Sequence, residues 1–163
     1  MATTDLEPYI TEHPFFYGLD PQYLKLITGC AKSAVFDAGT YAFKQGENAD
    51  WFFLVRDGNI SIEVPSARGG LVRVSTVGPG EIFGWSWLMP PHIYEFDARA
   101  LEKTRVIALE GKCLRRKCEA DQKMGFELMK RFSKVMTERL RSARIQLMDI
   151  YANPQDQSTP DER

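Results

Sequence analysis

The stretch Gly78-Pro-Gly-Glu-Ile-Phe-Gly-Trp-Ser-Trp-Leu-Met-Pro-Pro-His-Ile-Tyr-Glu-Phe-Asp-Ala-Arg-Ala100 holds the densest set of structural signals in the chain. Gly78-Pro79-Gly80 marks a turn, because proline fixes one φ and glycine allows a neighbouring positive φ. Ile82-Phe83-Gly84 enters a short apolar segment that Pro90-Pro91 stops, since proline removes a backbone donor and clashes inside a helix. Between them there is room for at most two helical turns, opened by a glycine. Such a turn aims several backbone N–H groups at one point and suits an anion. After the prolines, Phe96, Ala98 and Ala100 alternate with Asp97, Arg99 and Leu101, which predicts a strand.

A turn, a Gly-led short helix and an Ala-flanked returning strand resemble the phosphate-binding cassette of the cyclic nucleotide-binding domain family. The resemblance is carried by Gly80-Glu81-x-Phe83-Gly84, by Leu88, and by Ala98-x-Ala100 with Val106 following. It implies a cassette that holds the phosphate and ribose of a cyclic mononucleotide, cAMP or cGMP. Two positions depart from the family pattern. Trp85 stands where the family's ribose-binding Glu directly follows the glycine. Tyr94 stands where its phosphate-binding Arg sits, or Glu95 does if the loop differs by one residue. Without that carboxylate and guanidinium, weak or no binding of either nucleotide is expected.

Outside this stretch the chain divides into three parts. Asp20-Pro21 predicts an N-cap and first helical position, with Tyr23, Leu24, Ile27 and Cys30 facing a core, within an N-terminal helical part over 14–31. From 34 to 110 short strands alternate with turns. Trp51-Phe-Phe-Leu-Val55 closes on Asp57-Gly58, a hairpin signal. Ile60, Ile62 and Val64 alternate with Asn59, Ser61 and Glu63, so one wet face is expected. This spacing predicts a mainly β fold with flanking helices, an antiparallel β-roll or jelly roll of the cupin-like double-stranded β-helix kind. Gly39, Gly46 and Gly58 also stand where the cyclic nucleotide-binding family keeps its barrel glycines, so the resemblance runs from about Pro14 to Tyr151.

Helices are expected over 112–151. A short one begins at Cys113, and a long one runs from about Gln122 to Tyr151. Along the latter, Met129, Ser133, Met136, Leu140, Ala143, Leu147 and Ile150 recur at a heptad spacing. Phe126, Leu128, Phe132 and Val135 form a second apolar group. We read the earlier group as facing the barrel and the seam through Met136, Leu140, Ala143, Leu147 and Ile150 as a homodimer contact. A single broad core-facing stripe is the alternative. The whole is expected as one domain over 1–151 with a disordered tail over 152–163, too short and polar for a DNA-reading helix-turn-helix.

Composition narrows the function classes. With 163 residues, net charge −1 and 44% hydrophobic residues, the chain can bury a substantial core and carries no overall attraction to nucleic acid or membranes. No apolar run reaches bilayer length, and the N-terminus lacks a signal-peptide pattern. Cys30, Cys113 and Cys118 form no visible paired framework, which fits a reducing cytoplasm. His13 and His92 are too few for a metal-dependent barrel enzyme, and His13 is expected as a surface or capping residue. Ser86 lacks the second glycine of a hydrolase elbow, where Leu88 stands instead. Asp97 and Arg99 are expected to pair with each other. The helical region is rich in Lys and Arg, one of which is expected to reach the cassette.

The expected function is therefore sensing or regulation without catalysis. Phe83, Gly84, Trp85, Ser86, Trp87 and Leu88 would supply amides, a hydroxyl and stacking surface to a ligand. Tyr94, Glu95, Phe96, Asp97 and Ala98 would line the opposite wall. In the alternative, Trp85, Trp87 and Tyr94 fill the pocket of a dimeric module that binds a protein partner.

Overall fold

The computed structural model describes residues 6–152. A helix α1 (Glu7–Glu12), a 3-10 turn at Pro14–Phe16 and α2 (Pro21–Thr28) precede the strands. The strands are β1 (Ala31–Phe36), β2 (Tyr41–Phe43), β3 (Trp51–Asp57), β4 (Ile60–Pro65), β5 (Leu71–Val77), β6 (Ile82–Phe83), β7 (Asp97–Ala100) and β8 (Thr104–Glu110). Two helices follow, α3 (Gly111–Ala120) and α4 (Gln122–Ala152). The strands make two antiparallel sheets in the orders β1-β8-β3-β6 and β2-β7-β4-β5. This is the expected β-roll with its long C-terminal helix.

The apolar run in β3 has a simple cause. Phe53 and Val55 point into the barrel with Val106 and Ala108 of the paired strand β8. By strand alternation Phe52, Leu54, Ile107 and Leu109 face the other side, and these too are buried. Phe52 packs there against Phe15 of the N-terminal turn and against Trp87. A sheet covered on both faces needs apolar residues at consecutive positions. Asp20 caps α2 as expected, accepting from Gln22 N–H at 2.9 Å.

Several expectations need correction. β4 has no wet face. Ser61 and Glu63 are buried because β4 lies between β7 and β5, and Arg73 and Arg99 from those strands lie over its polar side. Asp97 and Arg99 do not pair. Glu63 stands opposite Asp97 and Ser61 opposite Arg99, so Arg99 reaches diagonally to Glu63 Oε1 at 2.6 Å. Asp97 instead accepts from the Gln45 N–H at 2.7 Å. His13 does cap, accepting from the Phe15 N–H on Nδ1, but it is buried rather than on the surface.

The cysteine expectation also fails. Cys30 and Cys113 form a disulfide, with Cα atoms 5.7 Å apart across 83 residues of sequence. The pairing of Ala31 with Leu109 brings the start of β1 beside the end of β8, and the first turn of α3 returns Cys113 toward Cys30. No local spacing encodes such a long-range juxtaposition.

The chain forms two units, one up to Gly125 and one from Phe126. Within α4, Leu128 and Phe132 are buried while Phe126 is exposed, so the early apolar group is split. Met136, Leu140, Ala143, Leu147 and Ile150 are all exposed. No helix among the described residues is long and apolar enough to cross a membrane. The expected tail lies outside the described residues except for Ala152, which ends α4.

Candidate ligand cassette

The turn before the cassette is closed by Glu81 N–H donating to Gly78 O and Gly80 N–H donating to Val55 O, both at 3.1 Å. β6 then pairs with β3, setting Phe83 opposite Phe53. Gly84 follows at φ 81° and ψ 37°, a left-handed conformation that only glycine adopts at little cost. A Cβ here would stand 3.1 Å from the Phe53 ring and 3.3 Å from the Phe43 ring. The backbone therefore needs glycine for both its conformation and its close approach.

Trp85–Trp87 forms a single 3-10 turn, ended by Leu88 N–H donating to Trp85 O at 3.2 Å. The two indoles differ. Trp87 is 1% exposed and points toward Phe52, on the helical side of the sheet and not into the barrel. Trp85, Ser86 and Leu88 are half-buried. The chain then passes a cis bond at Pro90-Pro91 and a positive φ of 56° at His92. The returning loop is anchored to the loop after β2. Ala49 N–H donates to His92 O at 2.7 Å, Tyr94 N–H to Glu47 O at 3.0 Å, and Gly46 N–H to Tyr94 O at 2.9 Å.

That anchoring turns Tyr94 inward. Its ring lies on Phe43, centroids 3.5 Å apart and planes 5° from parallel. Its hydroxyl donates to Trp51 O at 2.5 Å and accepts from Trp51 N–H at 3.2 Å. Burial raises its pKa well above the usual tyrosine value, with Asp50 and Glu47 adding to the rise and the Trp51 hydrogen bond opposing it. The phenol is neutral at any physiological pH. Phe43 packs in turn near Phe53 and Phe83, so an aromatic group occupies the barrel interior beside Gly84.

Of the residues read as site candidates, Phe83, Tyr94 and Ala98 join this interior cluster, and Phe96 packs against it half-buried. Gly84 touches it through Phe43 and Phe53. Trp87 faces the helical layer, Glu95 is exposed, and Asp97 is tied to the backbone at Gln45. Sequence reasoning missed Phe43, Phe53 and Trp51 as partners of the cassette. Their only signal was the apolar character of β2 and β3, which any core strand shares. A cation does reach the cassette: Arg115 of α3 donates through Nη1 to the Trp87 carbonyl. It meets the C-terminal end of the short turn, where carbonyls and not amides are presented. Among the described residues no group of His, Cys, Asp or Glu could hold a metal ion.

Comparison with known proteins gives a consistent picture. Residues 34–121 match the model of the cyclic nucleotide-binding domain. Cyclic nucleotide-gated ion channel 18 of Arabidopsis thaliana is 31% identical over 132 residues, covering 69% of this chain and 19% of the channel. The cyclic AMP receptor protein of Thermus thermophilus is 28% identical over 96 residues, covering 59% of this chain and 44% of that protein. The chain thus spans less than half the length of either relative. A crystal structure of a Geobacter metallireducens GS-15 protein assigned to cyclic nucleotide binding superposes with a TM-score of 0.72 at 30% identity, covering 86% of this chain and 98% of that one.

Proposed function

Because the chain belongs to the cyclic nucleotide-binding domain family, we propose that it is a regulatory module of that fold whose pocket is filled by its own tyrosine. In this reading it acts through protein contacts and not through cAMP or cGMP. The observation that carries the reading is the placement of Tyr94, flat on Phe43 and bonded through its hydroxyl to both backbone groups of Trp51. At the position where the family places a phosphate-binding cation, this chain has a buried neutral phenol. A cyclic phosphate entering there would have to displace the ring, break two hydrogen bonds and shed its own water without a countercharge.

The output surface in this proposal is α4. Met136, Leu140, Ala143, Leu147 and Ile150 recur along it at coiled-coil spacing and are exposed in the single chain, with Leu140 at 53%. A second copy of the same seam buries them symmetrically in a homodimer. The module is then a cytoplasmic, non-enzymatic dimer that presents α4 and the barrel surface to a protein partner.

The test is calorimetric titration and thermal shift with cAMP and cGMP. The wild type is expected to bind neither more tightly than a Kd of roughly 100 μM, since two charged contacts are missing. A variant carrying Trp85→Glu and Tyr94→Arg, which restores both charges, is expected to gain binding. Micromolar binding by the wild type overturns the closed-pocket reading and makes the cassette a ligand site after all.

A further inference from the structure

We propose that Cys30–Cys113 is a thiol–disulfide exchange site that clamps α3, and that a dithiol reductant releases this helix without unfolding the β-roll. The inference is independent of whether the cassette takes a ligand. The two cysteines differ in exposure: Cys30 is 6% exposed at the end of the α2 region, while Cys113 is half-buried in the first turn of α3.

The bond is not what brings these segments together. β1 and β8 pair along their length, from Ala31 with Leu109 to Phe36 with Thr104, and the Glu110 N–H donates to Cys30 O at 3.0 Å. That backbone ladder persists when the sulfurs are free. What the disulfide adds is a further restraint on α3, beside the ties that hold it to the rest of the fold. Leu114 is buried, Gly111 N–H donates to Asp50 O at 2.8 Å, Lys117 donates to Leu26 O, and Arg115 donates to Trp87 O.

Through those ties α3 connects three parts of the molecule. Gly111 lies so close to the cassette that a Cβ on it would stand 2.9 Å from the Trp87 Cβ. Lys117 reaches α2. At its far end, Asp121 leads into α4 by accepting from the Met124 N–H at 3.1 Å. Releasing the first turn of α3 therefore loosens the cassette's short turn and the start of α4 together.

The exchange is balanced in two steps. One thiolate of the dithiol attacks Sγ of Cys113, the more exposed residue of the two. The protein S–S bond breaks, and its electron pair leaves on Cys30 Sγ, which takes up a proton. The reductant's second thiolate then attacks the mixed disulfide, displacing Cys113 as thiolate, and the reductant departs as its own disulfide. Cys118 is a spectator. Burial and the nearby Asp121 and Glu119 push its thiol pKa up, which makes it a poor nucleophile at neutral pH.

The experiment uses the full chain, oxidised with glutathione disulfide and titrated with dithiothreitol at neutral pH. Alkylation and peptide mass mapping locate the thiols, and hydrogen exchange follows α3 and β3 separately. We expect Cys30 and Cys113 to become alkylated while β3 stays protected, and α3 amides to exchange about tenfold faster or more. Limiting glutathione should mark Cys113 and not Cys118. A bond that survives dithiothreitol until urea unfolds the barrel is a structural staple and overturns the proposal. Reduction that leaves α3 exchange unchanged overturns it too, as does a reduced pair that glutathione disulfide cannot reoxidise. The variant Cys30→Ser/Cys113→Ser should reproduce the reduced exchange pattern. Its failure to fold would mean the barrel needs the bond, again overturning the proposal.

Discussion

Tyr94 lies face to face with Phe43, ring centroids 3.5 Å apart, while its hydroxyl bridges the N–H and C=O of Trp51. One side chain thus joins the returning loop of the cassette, the interior of one sheet and the first residue of β3 in the other. Tyr94→Phe keeps the ring and removes the bridge, leaving part-buried backbone groups without that partner. We expect a loss of about 1–2 kcal/mol, read by urea denaturation with an unchanged m-value. Tyr94→Ala also removes the ring contact, and the expected loss rises to about 3–5 kcal/mol. Equal effects of the two substitutions would show that only the hydroxyl matters.

The Arg99–Glu63 pair joins β7 to β4 on the outer face of their sheet. Glu63 is 3% exposed, its Oε2 has no hydrogen-bond partner among the described residues, and Arg99 supplies the ion pair at its Oε1. Arg99→Ala leaves that carboxylate uncompensated. The Arg99 side chain is 38% exposed, so water screens the pair. The expected cost is about 2 kcal/mol, below that of a fully buried pair. Adding Glu63→Gln to Arg99→Ala should recover part of it, and a double-mutant cycle measures how much.

His13 couples folding to pH. Burial lowers its pKa below 6.5, with the backbone hydrogen bonds to Val55 and Glu81 opposing the shift. The folded chain therefore keeps the ring neutral where the unfolded chain binds a proton. His13 contributes stability above about pH 6.5, and this is lost as pH falls through the folded value. The midpoint of thermal unfolding should drop between pH 7.5 and 5.5 more steeply in the wild type than in His13→Gln. Parallel pH profiles would remove His13 from the acid sensitivity.

The α4 seam makes the dimer prediction sharp. Leu140→Lys with Leu147→Lys places charges where a second helix would pack, and both positions are exposed in the single chain. Sedimentation equilibrium should change from dimer to monomer while the circular dichroism of the barrel is retained. A wild type that sediments as a monomer at tens of micromolar would remove the seam as a self-association surface.

The sequence by itself determined the β-roll and its helices because those depend on local signals. Asp20-Pro21 starts a helix, Asp57-Gly58 turns a hairpin, the glycine before Trp85 permits a left-handed turn, and a heptad recurs along α4. It also identified Trp85 and Tyr94 as the places where charged groups are missing, since that needs only residue identity and position. Only the tertiary structure decided what each side chain faces. Trp87 turns to the helical layer against Phe52, and Tyr94 turns to the barrel because the loop from His92 to Tyr94 is anchored on Gly46–Ala49, a contact across more than 40 residues. The disulfide between Cys30 and Cys113 spans 83 residues and follows from the β1–β8 register. Glu63 and Ser61 are buried because arginines from the two flanking strands lie over them, Arg99 bonding Glu63 and Arg73 bonding Ser61. Strand order, register and the partners they supply arise from long-range packing, and no local pattern in the chain carries them.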